Sequence, residues 1–142
     1  MISPVLHSVL LVDDDEISNL FNTIFIKKLN LNLNIEYALN GKTALEILQQ
    51  NESTYSLPTL LLLDIRMPIM NGWEFLEAYE EQINCKIQEN VVIVMLTTSS
   101  DEEDIIKAMQ NPLIKSVLQK PLSEAVFRQL IIDNFSYSEE KA

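Results

Sequence analysis

Glycine is nearly absent from this chain, with two in 142 residues, and prolines number five. That composition leaves no material for a flexible linker or a low-complexity segment. The single cysteine, Cys85, excludes an intrachain disulfide and fits a reducing compartment. The only histidine, His7, lies far from it in sequence, so a Cys-His catalytic pair has no support, and Cys85 reads as a small, half-buried side chain. Basic residues are also scarce, 10 against 21 acidic, for a net charge of −11. Phosphate-backbone binding needs clustered Lys and Arg, so direct nucleic-acid binding is disfavoured, as is an anionic membrane surface. No apolar run reaches the length of a membrane span, and the N-terminus lacks the basic start of a signal peptide. A cytoplasmic protein with a cationic partner or a metal ion is the expectation.

What is present is the composition of an ordinary globular domain, 47% hydrophobic and 22% charged. Three short apolar runs, Val9–Val12, Leu60–Leu63 and Val91–Leu96, lack alternation, as strands covered on both faces do. Weaker strands are predicted at Asn34–Ala38 and Ser116–Leu118. Helical spacing fills the intervals: Ile17, Leu20, Phe21 and Ile24 form one apolar face, and Ala44, Leu45 and Leu48 a second. Trp73, Phe75, Leu76 and Tyr79 mark a third helix, and Ile105, Ile106 and Met109 a fourth opened by a Ser100/Glu103 capping box. Ser123 caps the last helix, with Leu122 and Phe127 as a hydrophobic staple. All these apolar positions are read as core packing. Five βα units with right-handed crossovers predict an α/β, doubly wound, five-stranded parallel sheet of order 2-1-3-4-5, flavodoxin-like. Residues 1–135 form one domain, and Ser136–Ala142 a short polar tail, read as frayed.

The chemistry gathers where the strands end. Strand one runs into Asp13, Asp14 and Asp15; strand three ends at Asp64, strand four at Thr97 and Thr98, and strand five at Lys120-Pro121. In a parallel sheet these carboxyl ends share one edge, and strands one and three meet at the switch point where such folds bind ligands. Carboxylates so crowded need a cation, and an all-oxygen set suits Mg²⁺. A carboxylate is also a nucleophile toward phosphorus, and Lys120 with a Thr hydroxyl could neutralise phosphoryl oxygens. Asp15 and Glu16 belong to the first turn of helix one, and the acids at Asp101–Asp104 favour a helix dipole and solvent. Any one of these acids alone is more often a cap or turn former; the joint pattern carries the reading.

The segments "LLVDDDEIS", "LLLLDIRMPIMNGWEF", "VIVMLTTSS" and "VLQKPL" together resemble the response-regulator receiver domain of two-component signalling, across nearly the whole chain. The resemblance implies that Asp64 accepts a phosphoryl group from a partner's phosphohistidine, on a sensor histidine kinase or a histidine phosphotransfer protein. Asp13 and Asp14 would hold Mg²⁺ with Asp64 and the backbone carbonyl of Arg66. Thr97, directly after Leu96, would bond the phosphoryl group, Lys120 would pair with another of its oxygens, and Lys120-Pro121 would be cis. Such a domain is not a conventional turnover enzyme; with no effector domain in the sequence, a stand-alone receiver signalling to an unknown protein target is expected. Several positions depart from the commoner pattern. Val117 stands where an aromatic switch residue often lies, Asn71-Gly72 replaces Asp-Gly, and Thr98 replaces a smaller residue. Asn111-Pro112 and one extra residue precede strand five.

Two rival readings meet opposing residues. A haloacid-dehalogenase-type phosphatase would use Asp13 and Asp15, but Ile17 and the missing late acidic pair oppose it. A degenerate receiver, acting only as an interaction module, conflicts with the presence of all five site positions. A calcium loop at Asp13–Glu16 lacks its glycine and later glutamate.

Overall fold

The computed structural model describes residues 5–50, 57–98 and 102–136. Its elements run β1 (Ser8–Val12), α1 (Glu16–Lys27), β2 (Asn34–Ala38), α2 (Gly41–Gln50), β3 (Thr59–Asp64), α3 (Gly72–Gln82), α4 (Cys85–Gln88), β4 (Val91–Thr97), α5 (Glu102–Gln110), β5 (Ile114–Gln119) and α6 (Glu124–Asn134). The strands form one parallel sheet in the order β2-β1-β3-β4-β5. β1 and β3 are buried at every position, which is why their sequences read as unbroken apolar runs.

Alternate side chains of the central strands feed two cores. Leu10, Val12, Leu61, Leu63 and Met95 pack on Ala44, Leu48, Phe75 and Tyr79 from α2 and α3. Val9, Leu11, Leu60, Leu62 and Leu96 pack on Ile26 of α1 and on Phe127 and Ile131 of α6. The caps are local: Asp15 accepts from Ile17 N and Ser18 N for α1, and Asn71 and Glu74 form a capping box for α3. Ser123 caps α6, with Leu122 and Phe127 both buried beside it. The Ser100/Glu103 box falls outside the described residues. The one-turn helix α4, which no periodicity announced, is started by the Asn84 side chain accepting from Lys86 N at 2.8 Å. Cys85 there is exposed, not half-buried. The extra residue before β5 is absorbed as an irregularity in the β4–β5 ladder, where Ile93 pairs Ile114 but Val94 pairs Ser116. Ser136 forms a parallel bridge with Val5.

One helix faces the other way from its predicted orientation, and a second does so in part. In α1 the stripe Ile17, Leu20, Phe21 and Ile24 is 65, 59, 53 and 40% exposed, and the buried residues are Asn19, Asn22 and Ile26. In α5, Ile106 and Met109 are exposed, while Ile105 is half-buried and Ala108 buried. Positions 19, 22 and 26 satisfy the helical period as well as 17, 20, 21 and 24 do, so spacing reveals a stripe without saying which stripe turns inward. In α1 the direction is fixed by the Asp15 cap at one end and Ile26 in the core at the other.

Candidate functional site

The strand register builds the site. Val12 pairs Leu63 across β1 and β3, so the next residues, Asp13 and Asp64, emerge side by side. Asp64 pairs Leu96, which puts Thr97 one step on, and Thr97 pairs Gln119, which puts Lys120 one step further. These residues line a single pocket of about 240 Å³ with Asp14, Asp15, Ile65, Arg66, Thr98 and Asp104. Asp13, Asp64 and Thr97 are buried, while Asp14 and Thr98 are exposed at the mouth.

The charges are tightly coupled. Carboxylate oxygens of Asp13, Asp14 and Asp64 lie within 4.8 Å of one another. Lys120 Nζ bridges two of them, 2.5 Å from Asp13 Oδ2 and 3.5 Å from Asp64 Oδ2. Asp13 Oδ1 accepts from Asp15 N at 2.9 Å, and Asp64 Oδ1 from Ile65 N at 3.0 Å. Burial pushes the Asp64 carboxyl up to about 6; Lys120 opposes the rise, and Asp13 and Asp14 add to it. Burial pushes Lys120 down, but its bonds and proximity to the two aspartates outweigh that and raise it. One ammonium therefore does not neutralise three carboxylates. The donors are all oxygen, with no His or Cys among them, so the set fits a hard divalent cation.

Both glycines of the chain abut the loop that follows Asp64. A Cβ on Gly72 would lie 2.6 Å from the Asp64 carbonyl oxygen and 3.1 Å from Ile65 Cα. A Cβ on Gly41 would lie 2.9 Å from the flexible Met70 side chain and 3.0 Å from the Met70 carbonyl. Gly72, the first residue of α3, is needed for close approach of backbone to backbone. Gly72→Ala is expected to destabilise the protein by roughly 1–3 kcal/mol through overpacking, with Gly41→Ala milder. Thermal melts of both variants check this; equal melting of Gly72→Ala and wild type would refute it.

At the rim, sequence reasoning missed Asp104, which it assigned to a helix dipole. Asp104 lines the pocket and pairs with Arg66 at 3.4 Å. Nothing local could have revealed that pairing, because the partners are 38 residues apart. Asp15, the acid a dehalogenase-type phosphatase would require, is engaged in capping α1. The Lys120-Pro121 bond is cis. Val117 leaves an apolar groove of about 520 Å³ between α5 and β5, lined also by Ile105, Ala108 and Met109 and reaching Thr97.

Residues 9–132 match the family model for the response regulator receiver domain. The chain is similar to the probable methanogenesis regulatory protein FilR2 of Methanothrix harundinacea, 33% identical over 116 residues, which are 81% of this chain and 72% of that one. Among solved structures it resembles a two-component response regulator from Cytophaga hutchinsonii, with a TM-score of 0.78 and 28% identity over 91% of this chain and 96% of that one. A response regulator receiver protein from Dyadobacter fermentans superposes with a TM-score of 0.80 and 25% identity, covering 92% and 98%.

Proposed function

The chain belongs to the response regulator receiver family, and from that membership and its acidic pocket we propose that Asp64 is the phosphoacceptor of a two-component or phosphorelay pathway. The observation that carries the proposal is the convergence of Asp13, Asp14 and Asp64 within 4.8 Å, two of them bridged by Lys120. A receiver is not a conventional turnover enzyme, and it implies a phosphodonor kinase as partner. Asp13, Asp14 and Asp64, with the Arg66 carbonyl, would hold Mg²⁺, which when bound supplies positive charge to the phosphoryl oxygens. An Asp64 carboxylate oxygen forms the new P–O bond while the donor's P–N bond breaks; the ring nitrogen keeps the bonding pair, and with the other ring nitrogen already protonated the histidine leaves as neutral imidazole. The Ile65 N–H orients the Asp64 carboxylate. Lys120 and the Thr97 hydroxyl donate to the phosphoryl oxygens and offset their negative charge. A cytoplasmic location goes with this reading. Among the described residues no helix is long and apolar enough to cross a membrane.

The donor side of the reading is supported by α1. Its exposed stripe continues into a crevice lined by Phe21, Phe25, Pro121 and Leu122, with Lys120 at one end. An apolar face that adjoins the acid pocket suits a helix of a histidine kinase or phosphotransfer protein, which would carry its phosphohistidine to Asp64. Charge on that face should uncouple protein donors from small ones. Leu20→Asp and Phe21→Asp are expected to slow transfer from the cognate donor by at least about tenfold, as loss of a buried anchor does. Labelling by a small acyl phosphate should be unchanged. Equal losses with both donors would remove α1 from the docking surface.

A further inference from the structure

We propose that Asn19 is a positioning residue that holds the metal-binding aspartate Asp13 in place, at a cost to the stability of the fold. The proposal rests on the reading of Asp13 as a residue that holds Mg²⁺. Asn19 lies on the inner face of α1 and is 3% exposed. Its Nδ2 donates to the Asp13 backbone carbonyl at 2.9 Å, within a buried contact. Its Oδ1 has no hydrogen-bond partner among the described residues. Turning the amide over would set Oδ1 against the Asp13 carbonyl oxygen, two acceptors face to face, so the orientation is fixed.

One half of this amide is therefore used and the other half is desolvated without compensation, which is unfavourable. Asparagine is also a poorer helix former than leucine, and leucine is the commoner occupant of such a buried position. Packing and helix formation would both favour replacement. What the amide does instead is hold the peptide of residue 13 where β1 has ended and α1 has not begun. Asp13 is the hub of the site: one carboxylate oxygen accepts from Asp15 N, the other from Lys120. The Asn19 contact fixes the backbone from which that carboxylate springs, as outer partners fix metal ligands elsewhere.

Asn19→Leu separates this role from a structural one. Metal-free Asn19→Leu should melt at or above the wild-type temperature, because the unpaired oxygen is gone. Its Mg²⁺ affinity, measured by titration calorimetry, should fall about tenfold, the lower end of the range for outer-partner substitutions. Labelling by a small acyl phosphate should be slow at low Mg²⁺ and recover largely when Mg²⁺ is saturating. Asn19→Asp, which keeps the shape and replaces the donor with an acceptor, should also weaken Mg²⁺. If Asn19→Leu melts lower yet binds Mg²⁺ as wild type does, Asn19 is structural only and the proposal is overturned. A wild-type chain that takes neither Mg²⁺ nor label overturns the phosphoacceptor reading, and the inference with it.

Discussion

Asp64→Asn is expected to abolish phosphorylation entirely while leaving a folded protein. With a small acyl phosphate and Mg²⁺, wild type should take up a hydroxylamine-labile label on one residue, and the variant none. Asparagine keeps the shape of the side chain but has neither the anionic oxygen that attacks phosphorus nor the charge that helps to hold Mg²⁺. The same substitution carries its own control for folding. In the metal-free protein the Asp64 carboxyl is raised from 3.8 to about 6, mainly by burial. Between those values the folded state binds the proton more readily than the unfolded chain does, so stability falls as pH rises through that window. The stabilisation that goes with protonated Asp64 is therefore full below about pH 4 and lost as pH rises through about 6. Asp64→Asn lacks that titration. Its metal-free melting temperature should equal or exceed that of wild type at pH 7, and the difference should shrink toward pH 4. Label that persists in the variant, or that maps to another residue, would overturn the assignment of Asp64.

Most of this site was legible before any coordinate, for a physical reason. A parallel sheet aligns its strand ends, so residues that follow strands in sequence become neighbours in space; Asp13, Asp64 and Thr97 each follow an apolar run, and Lys120 follows the weaker fifth strand. Buried strands are short-range features, and their continuous apolar sequence is a consequence of being covered on both faces. The facing of α1 was not legible, because it has two stripes that fit the period, and the choice depends on contacts with distant segments. Asp104 reaches the pocket through Arg66, and Asn19 reaches Asp13 through a single side-chain bond; neither spacing forms a motif. The close backbone approach at the two glycines was not legible either, since it depends on Asp64 and Met70 of other elements.

Lys120→Met should lower the rate of phosphorylation on the order of a hundredfold, the scale at which a charge-stabilising donor contributes to a transition state. Methionine keeps much of the aliphatic stem, so the loss falls on the ammonium that bridges Asp13 and Asp64. Removing one partner from a buried ion pair is strongly destabilising, by roughly 3–5 kcal/mol, because the remaining charge is uncompensated. Here two buried carboxylates lose their shared counter-charge, and the effect must depend on pH. Lys120 is the main influence that holds the Asp64 carboxyl down, so without it that carboxyl rises above about 6 and takes a proton more easily. Destabilisation of the metal-free variant should be smaller near pH 5, where Asp64 is already largely protonated and only the Asp13 pairing is lost, and largest above pH 7. Mg²⁺ should then raise the melting temperature of Lys120→Met more than that of wild type, because a cation in the acidic pocket replaces the missing charge and binds only the folded state. Thermal melts at pH 5 and pH 8, each with and without Mg²⁺, test the electrostatic half of the argument, and labelling rates test the chemical half. A variant labelled at the wild-type rate would take Lys120 off the phosphoryl group, whatever its melting curve shows. A pH-independent loss of stability would mean that its place in the fold is one of packing.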